Sequence, residues 1–236
     1  MNTSTALVTG ANKGIGKEIA RQLADAGLTV YLGSSDTERG QRAVDEIGGD
    51  ARLLILDVTD DQSIAKAAHQ VPDLDILVNN AGIMVDGSSA VDADVDSFRR
   101  TYETNVFGVI AVTNAFLPAL RRSAKPRIVN VSSGTGSLTR STGPDPQFPP
   151  TGSGAAYRSS KTALNAVTLF YAQSLGAGFK VNALAPGLRS TDLNARAAAS
   201  DADPAEGAAG AVRLALLADD GPTGEFHDWD GNPLPW

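Results

Sequence analysis

Thr5-Ala6-Leu7-Val8-Thr9-Gly10-Ala11-Asn12-Lys13-Gly14-Ile15-Gly16 decides how this chain is read. The apolar run Thr5–Val8 reads as a strand, three spaced glycines follow, and Ile15–Ala26 carries helical periodicity. Glycines let a backbone turn sharply and approach a pyrophosphate closely, and a helix N-terminus offers free N–H groups and partial positive charge. Three spaced glycines also suit any tight strand–helix turn, so the strand before them and the helix after them carry the argument. Gly10, Asn12, Lys13, Gly14, Ile15 and Gly16 are the first candidates for contact with a dinucleotide.

The same rhythm continues outward. Thr29–Leu32, Leu53–Leu56, Ile76–Asn79, Ile128–Val131 and Val181–Leu184 read as strands, continuous rather than alternating in their apolar character, as strands buried on both faces are. Glu38–Ile47, Ser63–Gln70, Ser97–Arg122 and Ala155–Leu175 read as helices. Strand–helix alternation with right-handed crossovers predicts a single α/β domain over residues 1–236, a doubly wound parallel sheet of Rossmann type with helices on both faces. Two segments break the rhythm: Gly134–Gly154, rich in Gly, Pro, Ser and Thr, and Arg189–Gly207. Loops of that length are usually functional lids or disordered, and in this sheet type ligands bind beyond the carboxyl ends of the strands, where both emerge.

Composition narrows the chemistry. The 236 residues suffice for a sizeable core. Having no cysteine, the chain lacks disulfides, thiolate nucleophiles and Cys-ligated metals, and its 2 histidines, His69 and His227, argue against a multi-His metal site. A net charge of −7 with no basic tract disfavours a nucleic-acid partner. Nothing approaches 18 consecutive apolar residues, and the start runs almost directly into Ala6-Leu7-Val8, so neither a transmembrane helix nor a signal peptide is expected and the default location is cytoplasmic.

Dinucleotide folds commonly place an acidic residue at the end of the second strand, on the ribose 2′-hydroxyl. Here Ser34 and Ser35 stand there. A carboxylate would repel a 2′-phosphate, and its absence removes that repulsion. Lys13 brings a flexible positive charge and Arg39 lies a few residues on, so the reading leans to NADP(H), with NAD(H) kept open because Asp36 could swing round to the ribose. Asp57 and Val58 follow the third strand at a position suited to an adenine edge; Asp57 suits a helix N-cap equally well. Asn79-Asn80-Ala81-Gly82 ends the fourth strand with small residues that let backbone pass close to a ligand, or simply turn.

Tyr157 and Lys161, four apart in a helix, share a face; surface helices carry such pairs constantly, and their company is what sharpens the signal. Gly10-x3-Gly14-x-Gly16, Asn79-Asn80-Ala81-Gly82, Asn105, Ser133, Tyr157-x3-Lys161 and Pro186-Gly187-x3-Thr191 occur in the order seen in classical short-chain dehydrogenases/reductases, which the chain resembles over essentially its whole length. Asn12–Gly16, Thr104–Gly108, Asn130–Ser133 and the ending from Gly224-Glu225-Phe226 to Pro235-Trp236 are similar to the carbonyl-reductase-like branch, whose members mostly reduce ketones and aldehydes with NADPH.

The resemblance implies roles. Tyr157 would be the general acid in carbonyl reduction, Ser133 would donate to the substrate oxygen, and Lys161 would lower the phenol's proton affinity and bind the nicotinamide ribose. Asn105 would hold a water linking Lys161 to solvent, while Pro186, Gly187 and Thr191 would hold the nicotinamide amide and the pyrophosphate. A free tyrosine titrates at about 10, and lowering it by roughly three units needs about 4 kcal/mol of preferential phenolate stabilisation. Lys161, taken as permanently charged, is the expected source, helped by the positive charge of the oxidised nicotinamide. Ser132 is a rival for the place of Ser133, and a catalytically dead nucleotide sensor is the alternative to an enzyme. An NAD-dependent alcohol dehydrogenase on the same four residues is another.

Between Ser133 and Tyr157 the chain is longer than most classical members and shorter than carbonyl-reductase-like ones. The extra segment, Arg140–Ser153, holds Pro144, Pro146, Pro149 and Pro150 and reads as a pocket wall with Phe148 as an apolar contact, or else as a disordered surface loop. In the carbonyl-reductase-like branch such an insertion covers the face other members use to oligomerise, which implies a monomer; the shortness of this one leaves a homo-oligomer open. Leu188–Glu206 reads as a mobile lid whose Ala-rich run, Asp201 and Asp203 suggest a neutral, largely apolar small-molecule carbonyl substrate. Trp229 and Trp236 are expected to anchor the tail more than to line the pocket, and neither His69 nor His227, near the last strand, is given a chemical role.

Overall fold

The computed structural model describes residues 4–142, 146–148 and 150–236, so Pro144 and Pro149 lie outside the described residues. Seven strands form one sheet: β1 (Thr5–Thr9), β2 (Thr29–Ser34), β3 (Ala51–Ile55), β4 (Ile76–Asn79), β5 (Arg127–Val131), β6 (Lys180–Ala185) and β7 (Phe226–Asp228). The order is β3-β2-β1-β4-β5-β6-β7, with every pairing parallel. Six strands fall where the apolar runs place them, within two residues at either end. The seventh is three residues long, too short to leave a sequence pattern, and is held by a stacked Phe226–Trp236 pair at 5.5 Å.

Alternation along the buried strands feeds two cores. In β1, Ala6 and Val8 pack with Ile19, Leu23 and Leu214 on one face, while Leu7 packs with Leu77, Phe116 and Ile128 on the other. That two-sided burial is why the strands read as unbroken apolar runs. The helices are α1 (Gly14–Asp25), α2 (Thr37–Ile47), α3 (Asp61–Gln70), α4 (Val95–Tyr102), α5 (Gly108–Leu120), the short α6 (Thr139–Thr142), α7 (Ala155–Leu175), the short α8 (Ala195–Ala198) and α9 (Pro204–Ala215).

Three expectations change. The helix expected over Ser97–Arg122 is interrupted by one wide π-helical turn, Glu103–Phe107, between α4 and α5. Gly108 makes room for it, since a Cβ there would stand 2.7 Å from the Val58 carbonyl oxygen. The stretch Val95–Leu120 is long and apolar enough, by length and composition, to cross a membrane, yet half of it is buried, and it packs against α3 and α7 as a core helix does. The expected lid over Leu188–Glu206 ends earlier: Asp203 accepts from the Ala205 N–H and Pro204 opens α9, whose Gly207, Ala208, Gly210 and Ala211 face is buried.

At the centre of the sheet the order reverses between β1 and β4. Thr9 Oγ1 accepts from the backbone N–H groups of Asn80 and Ala81, both at 3.0 Å, tying the two strand ends side by side. Such a reversal opens a crevice at the carboxyl edge of a parallel sheet.

Candidate active site

A cleft of about 1220 Å³ runs along that edge, lined by residues that follow all seven strands. At its middle lies the glycine loop. Gly10 and Gly14 take φ of +62° and +54°, the left-handed region that favours glycine. A Cβ on Gly16 would stand 2.3 Å from Asn80 Nδ2 and 2.6 Å from the Gly10 carbonyl oxygen. Asn80 Nδ2 donates to the carbonyls of Thr9 at 2.9 Å and Gly10 at 3.2 Å, so the loop is folded down onto β4. Ala81 and Gly82 line the cleft beside it. Helix α1 starts at Gly14 with no side-chain cap, leaving first-turn N–H groups open to an anion. Thr191 borders the far side, its Cγ2 3.3 Å from where a Gly14 Cβ would be. This is a cradle that a phosphate chain fits, with Asn12, Lys13, Ile15, Pro186 and Gly187 also on its lining.

Ser34 is almost fully buried and its hydroxyl turns inward, donating to the Asp36 carbonyl at 2.8 Å, while Ser35 lines the cleft. Asp36 is held where it caps α2: it accepts from the Arg39 N–H at 2.9 Å and pairs with Arg39 Nε at 3.2 Å. Lys13 pairs with Asp192 at 2.6 Å across the cleft. Asp57 is not the helix cap, because Asp60 has that place; Asp57 accepts from the Thr59 N–H and hydroxyl at 2.9 and 2.7 Å, forming a turn that leaves it on the cleft lining beside Val58.

At the other end Ser133, Tyr157 and Lys161 meet. Ser132 turns away, its hydroxyl donating to Asn165 Oδ1 at 2.5 Å, whereas Ser133 Oγ lies 2.9 Å from Thr135 Oγ1 on the cleft lining. Lys161 Nζ donates to the Val131 carbonyl at 2.9 Å and stands 5.7 Å from the centre of the Tyr157 ring. Asn105 sits in the π-helical turn, fully buried. Its Oδ1 accepts from the Ile83 N–H at 2.8 Å and its Nδ2 donates to the Ile83 carbonyl at 2.9 Å and to Ser160 Oγ at 3.0 Å. Its side chain is thus engaged in holding the segment after β4 against α7. A Cβ on Gly82 would approach Asn105 Oδ1 at 3.3 Å and Lys161 Nζ at 3.4 Å, so residue 82 stands in tight contact distance of both groups.

Burial sets the proton affinities. Tyr157 keeps part of its surface open to the cleft, yet the surrounding protein pushes its phenol up to about 12, with the Ser133 hydroxyl pulling the other way. Burial lowers Lys161 to about 8, so it is not permanently charged, although its ammonium prevails at neutral pH. Lys161 is expected to be the source of the phenolate's stabilisation with help from the oxidised nicotinamide, and its own share covers less than half of what the phenol needs. At 5.7 Å and an effective dielectric of about 20, one unit charge is worth about 3 kcal/mol. Bringing a phenol from about 12 to neutrality takes about 7 kcal/mol.

The structure also brings to the cleft residues that sequence reasoning passed over: Met84, Arg140, Arg158, Arg189, Arg196 and Asn194. Arg158 follows Tyr157 directly and was legible there; Arg140 gave no signal. Phe148 does line the cleft. The two tryptophans divide. Trp236 anchors the tail on Phe226, but Trp229 lines the cleft and stacks under the Arg189 guanidinium at 4.7 Å.

A doubly wound sheet with a phosphate cradle at its reversal and a Tyr–Lys pair beside it, the lysine buried and the tyrosine open to the cleft, defines a nucleotide-dependent oxidoreductase. The family model described as short chain dehydrogenase matches residues 4–202, and the chain belongs to that family. It is 34% identical to salutaridine reductase of Papaver bracteatum over 298 aligned positions, covering 94% of this chain and 93% of the relative. It is 35% identical to (-)-isopiperitenone reductase of Mentha piperita, with 95% and 96% covered. Among solved structures, 3-ketoacyl-(acyl-carrier-protein) reductase from Brucella melitensis complexed with NADH superposes with a TM-score of 0.81 at 27% identity, covering 95% of this chain and 96% of that one. The chain is therefore an oxidoreductase that works with a nicotinamide dinucleotide.

Proposed function

We propose that this chain reduces a ketone or aldehyde to an alcohol with NADPH, using Tyr157 as general acid. The observation that carries the reading is the opening of Ser133, Tyr157 and Lys161 onto the same cleft as the α1 phosphate cradle. A nicotinamide dinucleotide held by the glycine loop and the first turn of α1 would supply the hydride for the carbonyl carbon. Tyr157 then gives its proton to the carbonyl oxygen, and Ser133 donates a hydrogen bond to that oxygen as charge develops on it. Lys161 holds positive charge beside the phenol and is placed to reach a ribose hydroxyl. Asn105 positions: by pinning the backbone of Ile83 and the hydroxyl of Ser160 it fixes the channel wall next to Lys161. Pro186, Gly187 and Thr191 complete the dinucleotide site opposite the glycine loop. The reductases named above and the carbonyl-reductase-like motifs support this direction of reaction.

Ser34 and Ser35 in place of a carboxylate, with Lys13 and Arg39 on the lining, support NADPH. The second reading, NADH, is favoured by Asp36 on the same lining. Fluorescence titration with each reduced dinucleotide decides between them. For the chemistry, Tyr157→Phe is expected to lower turnover of a ketone and aldehyde panel by at least about 100-fold while NADPH binding stays within about threefold. Wild-type turnover in that variant would remove Tyr157 from the mechanism.

A further inference from the structure

Resting on the carbonyl-reduction reading, the geometry points to a substrate that carries an anionic group a few bonds from its reacting carbonyl, recognised by Arg140 and Arg158. The chain as a whole is acidic, at −7, yet its cleft is lined by seven lysine and arginine side chains against three aspartates. Lys13 and Arg39 lie at the nucleotide end and already face Asp192 and Asp36. Arg189 faces Glu206 at 3.0 Å. The cations without a carboxylate partner among the described residues are Lys161, engaged with the Val131 carbonyl, the exposed Arg196 of α8, and Arg140 and Arg158.

Among the described residues the partners of Arg140 and Arg158 orient each guanidinium without neutralising it. Arg140 Nε donates to Gln147 Oε1 at 2.7 Å, and Arg158 Nη2 donates to Ser141 Oγ at 3.1 Å; both acceptors are uncharged. Phe148 stands between the two, its ring centre 5.6 Å from one guanidinium carbon and 5.7 Å from the other. At these distances each guanidinium is attracted to the ring face. Arg140 Nη1 lies only 2.9 Å from where a Cβ on Gly134 would stand, so the missing side chain at 134 admits the guanidinium right beside Ser133. Arg158 is the residue after Tyr157. Both cations line the same cleft as Ser133 and Tyr157, the two hydroxyls proposed to hold the carbonyl oxygen. The planar fork of N–H groups suits a carboxylate or a phosphate monoester.

The neutral substrate expected from the lid rested on its Ala-rich run with Asp201 and Asp203; neither aspartate lines the cleft, and Asp203 caps α9. The cations that do line it come from the segment before α7 and from α7 itself.

The test compares 4-oxopentanoate with its methyl ester, and hydroxyacetone phosphate with hydroxyacetone, by loss of NADPH absorbance at low ionic strength. Wild type is expected to favour the acid or the phosphate over its neutral partner by tenfold to hundredfold in kcat/KM, the range of a hydrogen-bonded charge pair. Whichever anion shows the preference identifies the group. Arg140→Gln and Arg158→Gln are expected to bring that ratio towards unity, and Arg→Lys at either place to restore part of it. In parallel, pentanoate, which has no carbonyl, is titrated against tryptophan fluorescence, since Trp229 lines the cleft. Pentanoate binding that both Gln variants weaken, with no turnover of any ketone, would leave the anion site standing and sink the carbonyl-reduction reading. Equal or better use of the neutral partners, or ratios unchanged in both variants, would overturn the anion site.

Discussion

Replacing Lys161 with methionine should make the folded chain more stable at neutral pH while removing most of its turnover. The side chain is 3% exposed, and Val131 is the acceptor for its ammonium. Burial lowers it from the ordinary lysine value of 10.5 to about 8. At about 1.4 kcal/mol for each tenfold change, keeping the ammonium charged inside the fold costs about 3 kcal/mol. Methionine removes that cost and forfeits the bond to Val131, worth about 1 kcal/mol. The net gain is about 2 kcal/mol at pH 7, or roughly 4–8 °C in Tm for a chain of this size. The pH dependence identifies the cause. Below about 8 both states of wild type hold the proton and the cost is fully present; between about 8 and 10.5 the unfolded chain binds more protons than the folded one, so wild-type stability rises with pH. Tyr157, raised in the folded state, is common to both chains and cancels in their difference. Thermal and urea denaturation at pH 7 and pH 10 should therefore show the variant ahead at pH 7 and nearly level at pH 10. A variant less stable at pH 7, or a gap equal at both pH values, would refute the reasoning.

Gly16→Ala places a Cβ against Asn80 Nδ2 and the Gly10 carbonyl; overpacking of about 1–3 kcal/mol should appear as a roughly 5- to 150-fold loss of dinucleotide affinity in a fluorescence titration. Ser132→Ala strips the buried partner of Asn165 and should cost about 1–3 kcal/mol in denaturation with modest effect on kcat, whereas Ser133→Ala should lower kcat with little change in Tm. Lys13→Ala should reduce the ratio of NADPH to NADH affinity by roughly tenfold, since its ammonium lies on the nucleotide lining; an unchanged ratio in paired titrations would remove Lys13 from 2′-phosphate recognition.

Much of the fold was legible because burial on both faces writes itself into short unbroken apolar runs, and six of seven strands lie where those runs are. The seventh has no such run, being three residues held by a distant Trp236. Helix α9 was hidden by composition: its buried face is glycine and alanine apart from Leu214, packed so close that a Cβ on Gly210 would meet the Trp229 backbone at 2.8 Å. The Asp203-Pro204 start with Glu206 in the first turn was the signal available. The π-helical turn at Glu103–Phe107 left no trace in a pattern of period 3.6, because the extra residue is accommodated by Gly108 and by Ile83 on another element.

What the sequence by itself determined is the order and chemical type of the parts: a glycine loop between strand and helix, Ser133 after a buried strand, and a tyrosine and a lysine one turn apart. These are local relations, fixed by neighbours within a few residues. Tertiary structure alone decided the proton affinities of Tyr157 and Lys161, the bond that ties the Ser132 hydroxyl to Asn165, and the gathering of Arg140 and Arg158 around Phe148. Desolvation and charge act through space, and the groups that produce them here are brought together from stretches far apart along the chain.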